Sequence, residues 1–177
     1  MKIPSENYQF SNEPSILVVT GIREALIYYA REGEVDRLSE IMAEKPEDPG
    51  KPGVFITGGK NMIHHGASLE DKQRKIRDKA IKNFLSELKK DLKEIPDIDK
   101  IKSLYLFTPE PFEGSVLEEI PAKLKKKIEN TFYGNYTNKH PIDLVKKITT
   151  VKNKKKEDLT EEEAREILKL KRQNRAK

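Results

Sequence analysis

The sequence contains no cysteine and no long hydrophobic run. The absence of cysteine excludes disulfide bonds, thiolate metal sites and a cysteine nucleophile, and it fits a reducing compartment. No stretch of about 18 apolar residues is present, so we expect no segment to span a membrane. The first 14 residues lack the apolar core of a signal peptide, and we therefore expect a cytoplasmic protein.

Apolar residues are also scarce, because 35% of the 177 residues are hydrophobic and 37% are charged. This composition suits one domain with a modest core. The net charge of +5 is divided unevenly, since residues 121–177 contain 17 basic and 8 acidic residues whereas residues 1–120 contain 18 and 22. A basic end predicts a polyanionic partner such as nucleic acid, although a solvated lysine-rich surface produces the same count.

The first third of the chain is rich in β-branched and apolar residues. After an extended arm, strands are predicted at residues 15–20, 24–31 and 35–42. The first of these, SILVVT, is a short apolar and β-branched run that predicts a buried central strand. Gly33 lies between the other two and indicates a hairpin. A helix over residues 23–44 is the alternative, which Gly33 disfavours.

A segment rich in glycine and proline then separates the strands from a long helix. Residues 50–68 read GKPGVFITGGKNMIHHGAS, and Val54–Ile56 can pair as an edge strand or pack under this loop. Ser68 and Asp71 form a capping-box pattern, which predicts a helix over 69–93. Its apolar residues recur mostly every four positions and define the face that covers a sheet: Leu69, Ile76, Ala80, Phe84, Leu88 and Leu92.

The second half alternates strand and helix patterns. Residues 103–107 predict a parallel strand, and the alternation over 128–133 predicts a last short strand, with a helix continuing to Phe132 as the alternative. Residues 141–148 predict a short helix. We predict α/β architecture with a ribonuclease H-like mixed sheet, in which a three-stranded antiparallel meander is followed by parallel strands with helices packed on it. The predicted boundaries are an arm at 1–14, a domain at 15–148 and a basic tail or helix at 149–177.

This element order resembles the middle domain of archaeal and eukaryotic class 1 release factors and of Pelota. In release factors a Gly-Gly-Gln loop directly precedes the long helix, and here Gly58-Gly59-Lys60 occupies a similar place. The second half is similar to a bacterial family named for attachment to host cells, the host attachment proteins. The matching stretches are Pro52–Phe55, Gly58–Lys60, His64-His65, Leu104–Pro109, Phe112–Gly114, Ile120-Pro121 and Asn135–Leu144.

The resemblance implies a ribonuclease H-like domain and a role at the ribosome or with tRNA. Release factors use the glutamine to place a water at the peptidyl-tRNA ester, and Lys60 cannot replace it simply because it is a cation with donors only. We therefore expect loop 50–68 and the basic C-terminal part to contact RNA without catalysis. The predicted contact residues are Lys60, His64, His65, Tyr136, Lys139 and His140.

Two other functions stay open. The first is hydrolysis of peptidyl-tRNA or aminoacyl-tRNA with Gly58, Gly59 and Lys60, in which the lysine holds a phosphate or the developing oxyanion. The second is a protein-interaction adaptor, linked to host attachment, whose helix at 160–173 docks on another protein. The aromatic group Phe132, Tyr133 and Tyr136 can likewise stack on bases or pack a turn against the core.

We expect no metal and no cofactor. His64 and His65 are adjacent on a loop, so they point in different directions, and no third ligand has suitable spacing. The pair Gly58-Gly59 matches neither the P-loop nor the dinucleotide fingerprint. The first strand has no central carboxylate that could hold a divalent metal for a ribonuclease H-type nuclease.

Overall fold

A computed structural model describes residues 1–44 and 69–175, with side chains for 1–44, 71 and 73–158. Its centre is a five-stranded sheet in the order β3-β2-β1-β4-β5. The strands are β1 (Ser15–Thr20), β2 (Glu24–Arg31), β3 (Glu34–Met42), β4 (Ser103–Thr108) and β5 (Ile128–Tyr133). Strands β1 to β3 pair antiparallel, whereas β4 and β5 extend the sheet in parallel from β1. This is the predicted ribonuclease H-like arrangement.

The turn between β2 and β3 is a two-residue hairpin. Glu32 has a φ of 45° and Gly33 a φ of 78°. Positive φ at both central residues matches the right-handed twist of the flanking strands, and glycine adopts it without steric cost. The predicted hairpin is therefore confirmed, and the alternative of a helix over residues 23–44 is wrong.

Strand β1 is buried along its whole length, as predicted. Its side chains alternate between the two faces of the sheet. Ile16 and Val18 pack into one hydrophobic core, and Leu17 and Val19 pack into a second core on the opposite face. The sheet therefore carries a layer on each side.

Helix α1 (Leu69–Lys93) covers the first face, and its limits are those predicted from the sequence. Phe84, Leu88 and Leu92 are buried at a spacing of four residues, which places them on one side of the helix. The ring of Phe84 stacks on Phe112 with centroids 6.3 Å apart. The predicted cap at Ser68 and the Val54–Ile56 run lie outside the described residues.

Two short helices complete this layer between β4 and β5. They are α2 (Glu113–Glu119), which follows a 3-10 turn at Glu110–Phe112, and α3 (Ala122–Lys125). The chain then enters β5 rather than continuing as a helix to Phe132, so that alternative is wrong. Strand β5 pairs with β4 from Ile128 to Tyr133, with a register shift at Glu129, and these backbone hydrogen bonds hold the segment as a strand.

Helix α4 (Pro141–Arg175) lies on the second face and is longer than the sequence predicts. Leu144, Val145 and Ile148 are buried against the sheet, as expected for the predicted helix at 141–148. The helix then continues through the lysine-rich run and does not stop at 148. Lysine and glutamate are good helix formers, so a run without an apolar pattern still propagates a helix that has been nucleated by packing. Among the described residues, no helix is long and apolar enough to cross a membrane.

The N-terminal residues are packed against the same face as α4, whereas the sequence predicts an extended arm. Ile3 and Phe10 are buried in the second core. The Phe10 ring meets Tyr105 of β4 edge-on at 6.3 Å. The backbone N–H of Ile3 donates to the Gly33 carbonyl at 2.6 Å, which ties this segment to the β2–β3 hairpin.

Candidate nucleic-acid interface

The predicted contact residues Tyr136, Lys139 and His140 lie together in the turn between β5 and α4. The Lys139 N–H donates to the carbonyl of Tyr136 at 2.9 Å, which closes the turn. His140 begins the helix, because its carbonyl accepts the N–H of Asp143 at 2.8 Å and its Nδ1 accepts the N–H of Ile142 at 3.4 Å. The side chains of Lys139 and His140 are exposed.

Tyr136 packs this turn against the core. Its ring meets Phe107 edge-on, with centroids 5.3 Å apart, and its hydroxyl donates to the carbonyl of Tyr133 at 3.2 Å. The Nζ of Lys147 lies 5.3 Å from the centroid of the same ring. Phe132 stacks on Phe107 at 4.5 Å. Phe132 and Tyr136 therefore pack the turn against the core, which is one of the two predicted alternatives, whereas Tyr133 is exposed. A contact of Tyr136 with RNA remains a prediction.

The other predicted residues lie outside the described part of the chain. These are Gly58, Gly59 and Lys60 of the release-factor-like loop and the pair His64 and His65. Their roles remain predictions. Among the residues whose side chains are described, no group of three or more histidine, aspartate or glutamate residues could hold a metal ion.

The region from Pro121 to Asp158 contains eleven lysines and four acidic residues, a net charge of +7. Several of these lysines are neutralised locally. Lys123 pairs with Asp99 at 3.0 Å, and Lys146 pairs with Asp143 at 3.5 Å. Each such pair removes one cation from the charge available to a partner.

Three exposed lysines lie in or beside α4 without an ion pair to any described residue: Lys139, Lys147 and Lys154. Lys147 and Lys154 are seven residues apart, so they lie on the same side of the helix about 10 Å from each other. Lys139 lies just ahead of the helix, and its backbone N–H bonds to Tyr136, the residue whose ring Lys147 approaches. We refer to Lys139, Lys147 and Lys154 as the lysine row.

A polar cluster lies under the same helix, and no sequence pattern predicts it. At its centre, the Nζ of Lys152 is 3.1 Å from a carboxylate oxygen of Glu13 and 3.0 Å from one of Glu129. We call this set of residues the Lys152 cluster: Tyr8, Glu13, Ser103, Tyr105, Glu129 and Lys152. Its members come from the N-terminal segment, β4, β5 and α4, which no local pattern connects.

Each carboxylate of the Lys152 cluster has a second donor. The Ser103 hydroxyl donates to Glu13 at 2.6 Å, and the Tyr105 hydroxyl donates to Glu129 at 2.6 Å. Tyr8 also donates its hydroxyl to Glu13. The Lys152 Nζ lies 4.9 Å from the centroid of the Tyr8 ring. Charge, hydrogen bonds and aromatic faces thus all favour the charged state of the lysine.

These contacts shift the pKa values of the cluster. Burial alone would raise the pKa of Glu129, but hydrogen bonds from Tyr105 and Lys152 outweigh it and lower that pKa to about 2. Burial would lower the pKa of Lys152, but its hydrogen bonds with Glu129 and Glu13 raise it. Burial, followed by the bond to Glu129, raises the pKa of Tyr105. At neutral pH the cluster therefore holds one cation and two anions.

No protein-family model matches this chain, and no curated protein matches it. Among solved structures, it is similar to an archaeal translation termination factor, aRF1, with a TM-score of 0.49 and 11% identity over 86% of this chain and 42% of that one. It is also similar to Dom34 of S. cerevisiae, a translation termination-like factor involved in RNA quality control pathways and interacting with Hbs1. For Dom34 the TM-score is 0.43 and the identity 13%, over 83% of this chain and 38% of that one.

A third similar structure is the Alp12 filament, with a TM-score of 0.39 and 11% identity over 84% of this chain and 50% of that one. The chain thus spans half or less of the length of each of these proteins. The ribonuclease H-like assignment rests on the strand order and direction of this chain itself.

Proposed function

We propose that this protein is a release-factor-like binding protein that contacts RNA of the translation machinery, tRNA or ribosomal RNA, without catalysing a reaction. The surface that we assign to this contact comprises loop 50–68 and the basic C-terminal part of the chain. The observation that carries the proposal is the lysine row, in which three exposed ammonium groups have no acidic partner among the described residues.

Unpaired lysines on a regular helix suit the regular negative charge of a nucleic-acid backbone. Each ammonium group that meets a phosphate releases a counterion, and this release provides affinity that does not depend on base sequence. Two of the neighbouring carboxylates reduce this effect little, because Asp143 already pairs with Lys146 and Glu129 with Lys152. Glu157 and Asp158 are exposed one turn after Lys154 and offset part of its charge, so the row keeps most of its positive charge for a partner.

The test is binding of deacylated tRNA, followed by fluorescence anisotropy between about 50 and 200 mM salt. We expect binding that weakens steeply with salt. Replacing Lys139, Lys147 and Lys154 together by glutamine should weaken it further and reduce the slope of log K against log salt by about 2. Co-sedimentation with ribosomes over the same salt range tests binding to ribosomal RNA.

A matched control comes from α1, on the opposite face of the sheet. Lys79, Lys82 and Lys93 are exposed there, and replacing them by glutamine removes the same net charge. We expect this triple variant to keep the wild-type slope. Equal losses in the two triple variants would show that only net charge matters, and no binding to tRNA or ribosomes even at low salt would overturn the proposal.

A further inference from the structure

The lysines of α4 have two different environments. Lys147 and Lys154 are exposed, whereas the Lys152 side chain retains only 21% of its accessible surface. Two carboxylates from different elements approach the Nζ of Lys152 to about 3 Å, that of Glu13 ahead of β1 and that of Glu129 in β5. A lysine held in this way cannot also serve as a phosphate contact without breaking two ion pairs.

From this arrangement we propose that Lys152, held by Glu13 and Glu129, is a positioning residue that orients α4 so that the lysine row faces the RNA. This inference rests on the function proposed above. Lys152 would thus act by holding the helix in place, although a count of charges alone would treat this lysine as one more RNA contact.

The geometry fixes both the rotation and the axial position of the helix. Lys152 is tied to the sheet through Glu129, and Lys155 approaches the same carboxylate at 3.4 Å one turn later. On the preceding turn, the Tyr8 N–H donates to the Thr149 hydroxyl at 2.8 Å. Residues 149, 152 and 155 follow each other at a spacing of three, so they lie along one side of the helix.

Replacing the two carboxylates tests the inference, because the change in charge and the loss of positioning should shift the affinity for RNA in opposite directions. Replacing Glu13 and Glu129 together by glutamine removes two negative charges and frees Lys152, so electrostatics alone predicts tighter binding of a polyanion. Loss of positioning predicts the opposite. Glutamine keeps the shape of each side chain, which limits the change to charge and hydrogen-bond strength.

The experiment measures deacylated tRNA binding by the full chain carrying Glu13→Gln and Glu129→Gln. We expect the Kd to rise about five- to tenfold, in line with the loss of charged hydrogen bonds. The matched control is Glu157→Gln with Asp158→Asn, two exposed acids of α4, which should bind tRNA slightly more tightly than wild type. Lys152→Arg keeps the positive charge between the two carboxylates and should weaken tRNA binding less than the double variant does.

Tyr105→Phe provides a second variant if the double variant does not fold. It removes the hydroxyl that donates to Glu129 at 2.6 Å, leaves the ring in place and changes no charge at neutral pH. We expect weaker tRNA binding and faster amide hydrogen exchange over residues 149–155. Binding as tight as or tighter than wild type in the folded double variant, or in Tyr105→Phe, would overturn the inference, whereas absence of binding by the wild type would overturn the proposed function itself.

Discussion

Lys152 on α4 and Glu13 ahead of β1 are 139 residues apart in the sequence, yet their charged groups lie 3.1 Å apart. The contact joins the N-terminal segment to the C-terminal helix across one face of the sheet. Glu129 of β5 completes it from the edge of the sheet at 3.0 Å. One lysine thereby connects three parts of the fold, and its removal affects all three.

Replacing Lys152 by methionine should destabilise the protein by about 1–3 kcal/mol, because two partly buried carboxylates then lose their cation. Methionine keeps an unbranched side chain of similar length but lacks the ammonium group that lies over the Tyr8 ring. Urea denaturation followed by circular dichroism measures the change. The control is Lys154→Met, an exposed lysine two residues further on, for which we expect less than about 0.5 kcal/mol. Equal effects of the two changes would contradict a special role for Lys152.

The low pKa of Glu129 predicts a loss of stability in acid. This pKa falls from 4.5 to about 2 on folding, so between these values the unfolded chain binds more protons than the folded one. The contribution of Glu129 is therefore complete above about pH 4.5 and is lost as the pH falls through about 2.

Thermal unfolding of wild type and of Glu129→Gln across this range measures the effect. The wild type should have the higher Tm near neutral pH, and the difference should shrink as the pH is lowered toward about 2. Glu157→Gln, an exposed acid of α4, should give a profile parallel to that of wild type. A Tm difference for Glu129→Gln that stays constant over the range would refute the assignment.

Gly33→Ala should destabilise the hairpin between β2 and β3 by about 1–2 kcal/mol. Its φ of 78° is costly for alanine, and a Cβ there would lie 2.8 Å from Oε1 of Gln9. Gly114→Ala is the matched control, since this glycine lies in α2 and an added Cβ meets nothing within 4 Å. We expect Gly114→Ala to be neutral or to stabilise by up to about 1 kcal/mol. The free energy of unfolding is measured for both variants. A Gly33→Ala protein as stable as the wild type would exclude strain at this turn.

The two ends of α4 should differ in importance for folding. Truncation after Asp158 leaves every member of the Lys152 cluster in place, so we expect a Tm within a few degrees of the full chain. Truncation before Thr150 removes Lys152 and should lower the Tm clearly, by more than about 4 °C. Differential scanning fluorimetry compares the two, and equal Tm values would show that the cluster does not hold the helix.

The Gly58-Gly59-Lys60 loop should not catalyse peptide release. A lysine has no acceptor with which to place the water that a glutamine positions. We expect the wild type and Lys60→Ala to release peptide from peptidyl-tRNA at the uncatalysed rate, measured on ribosomes carrying a labelled peptide. Release by the wild type that Lys60→Ala abolishes would instead establish the hydrolase alternative.

Local patterns predicted most of the fold. The hairpin followed from Gly33 between two β-prone runs, and α1 followed from apolar residues such as Phe84, Leu88 and Leu92 at a spacing of four. The prediction was wrong for the extent of the helix beyond residue 148, because a lysine-rich run shows no apolar period. Packing of Leu144, Val145 and Ile148 starts that helix, and propensity extends it.

The candidate interface was predicted less completely. The sequence placed Tyr136, Lys139 and His140 near one another because they lie within five residues, and the fold confirms that neighbourhood. The sequence could not distinguish lysines that face solvent from lysines that form ion pairs. That distinction depends on partners that the fold brings close from other elements, as it does with Asp99 for Lys123 and Glu129 for Lys155.

By itself, the sequence determined the order of strands and helices and the excess of positive charge at the C-terminal end, because periodicity, turn chemistry and composition act over a few residues. Only the tertiary structure decided which of those charges are available to a partner. Lys152 and Lys154 differ by two positions on one helix, and one is held between Glu13 and Glu129 while the other is exposed. An ion pair requires its atoms within about 4 Å, and for residues 139 apart in the chain only the packing of α4 on the sheet satisfies that condition.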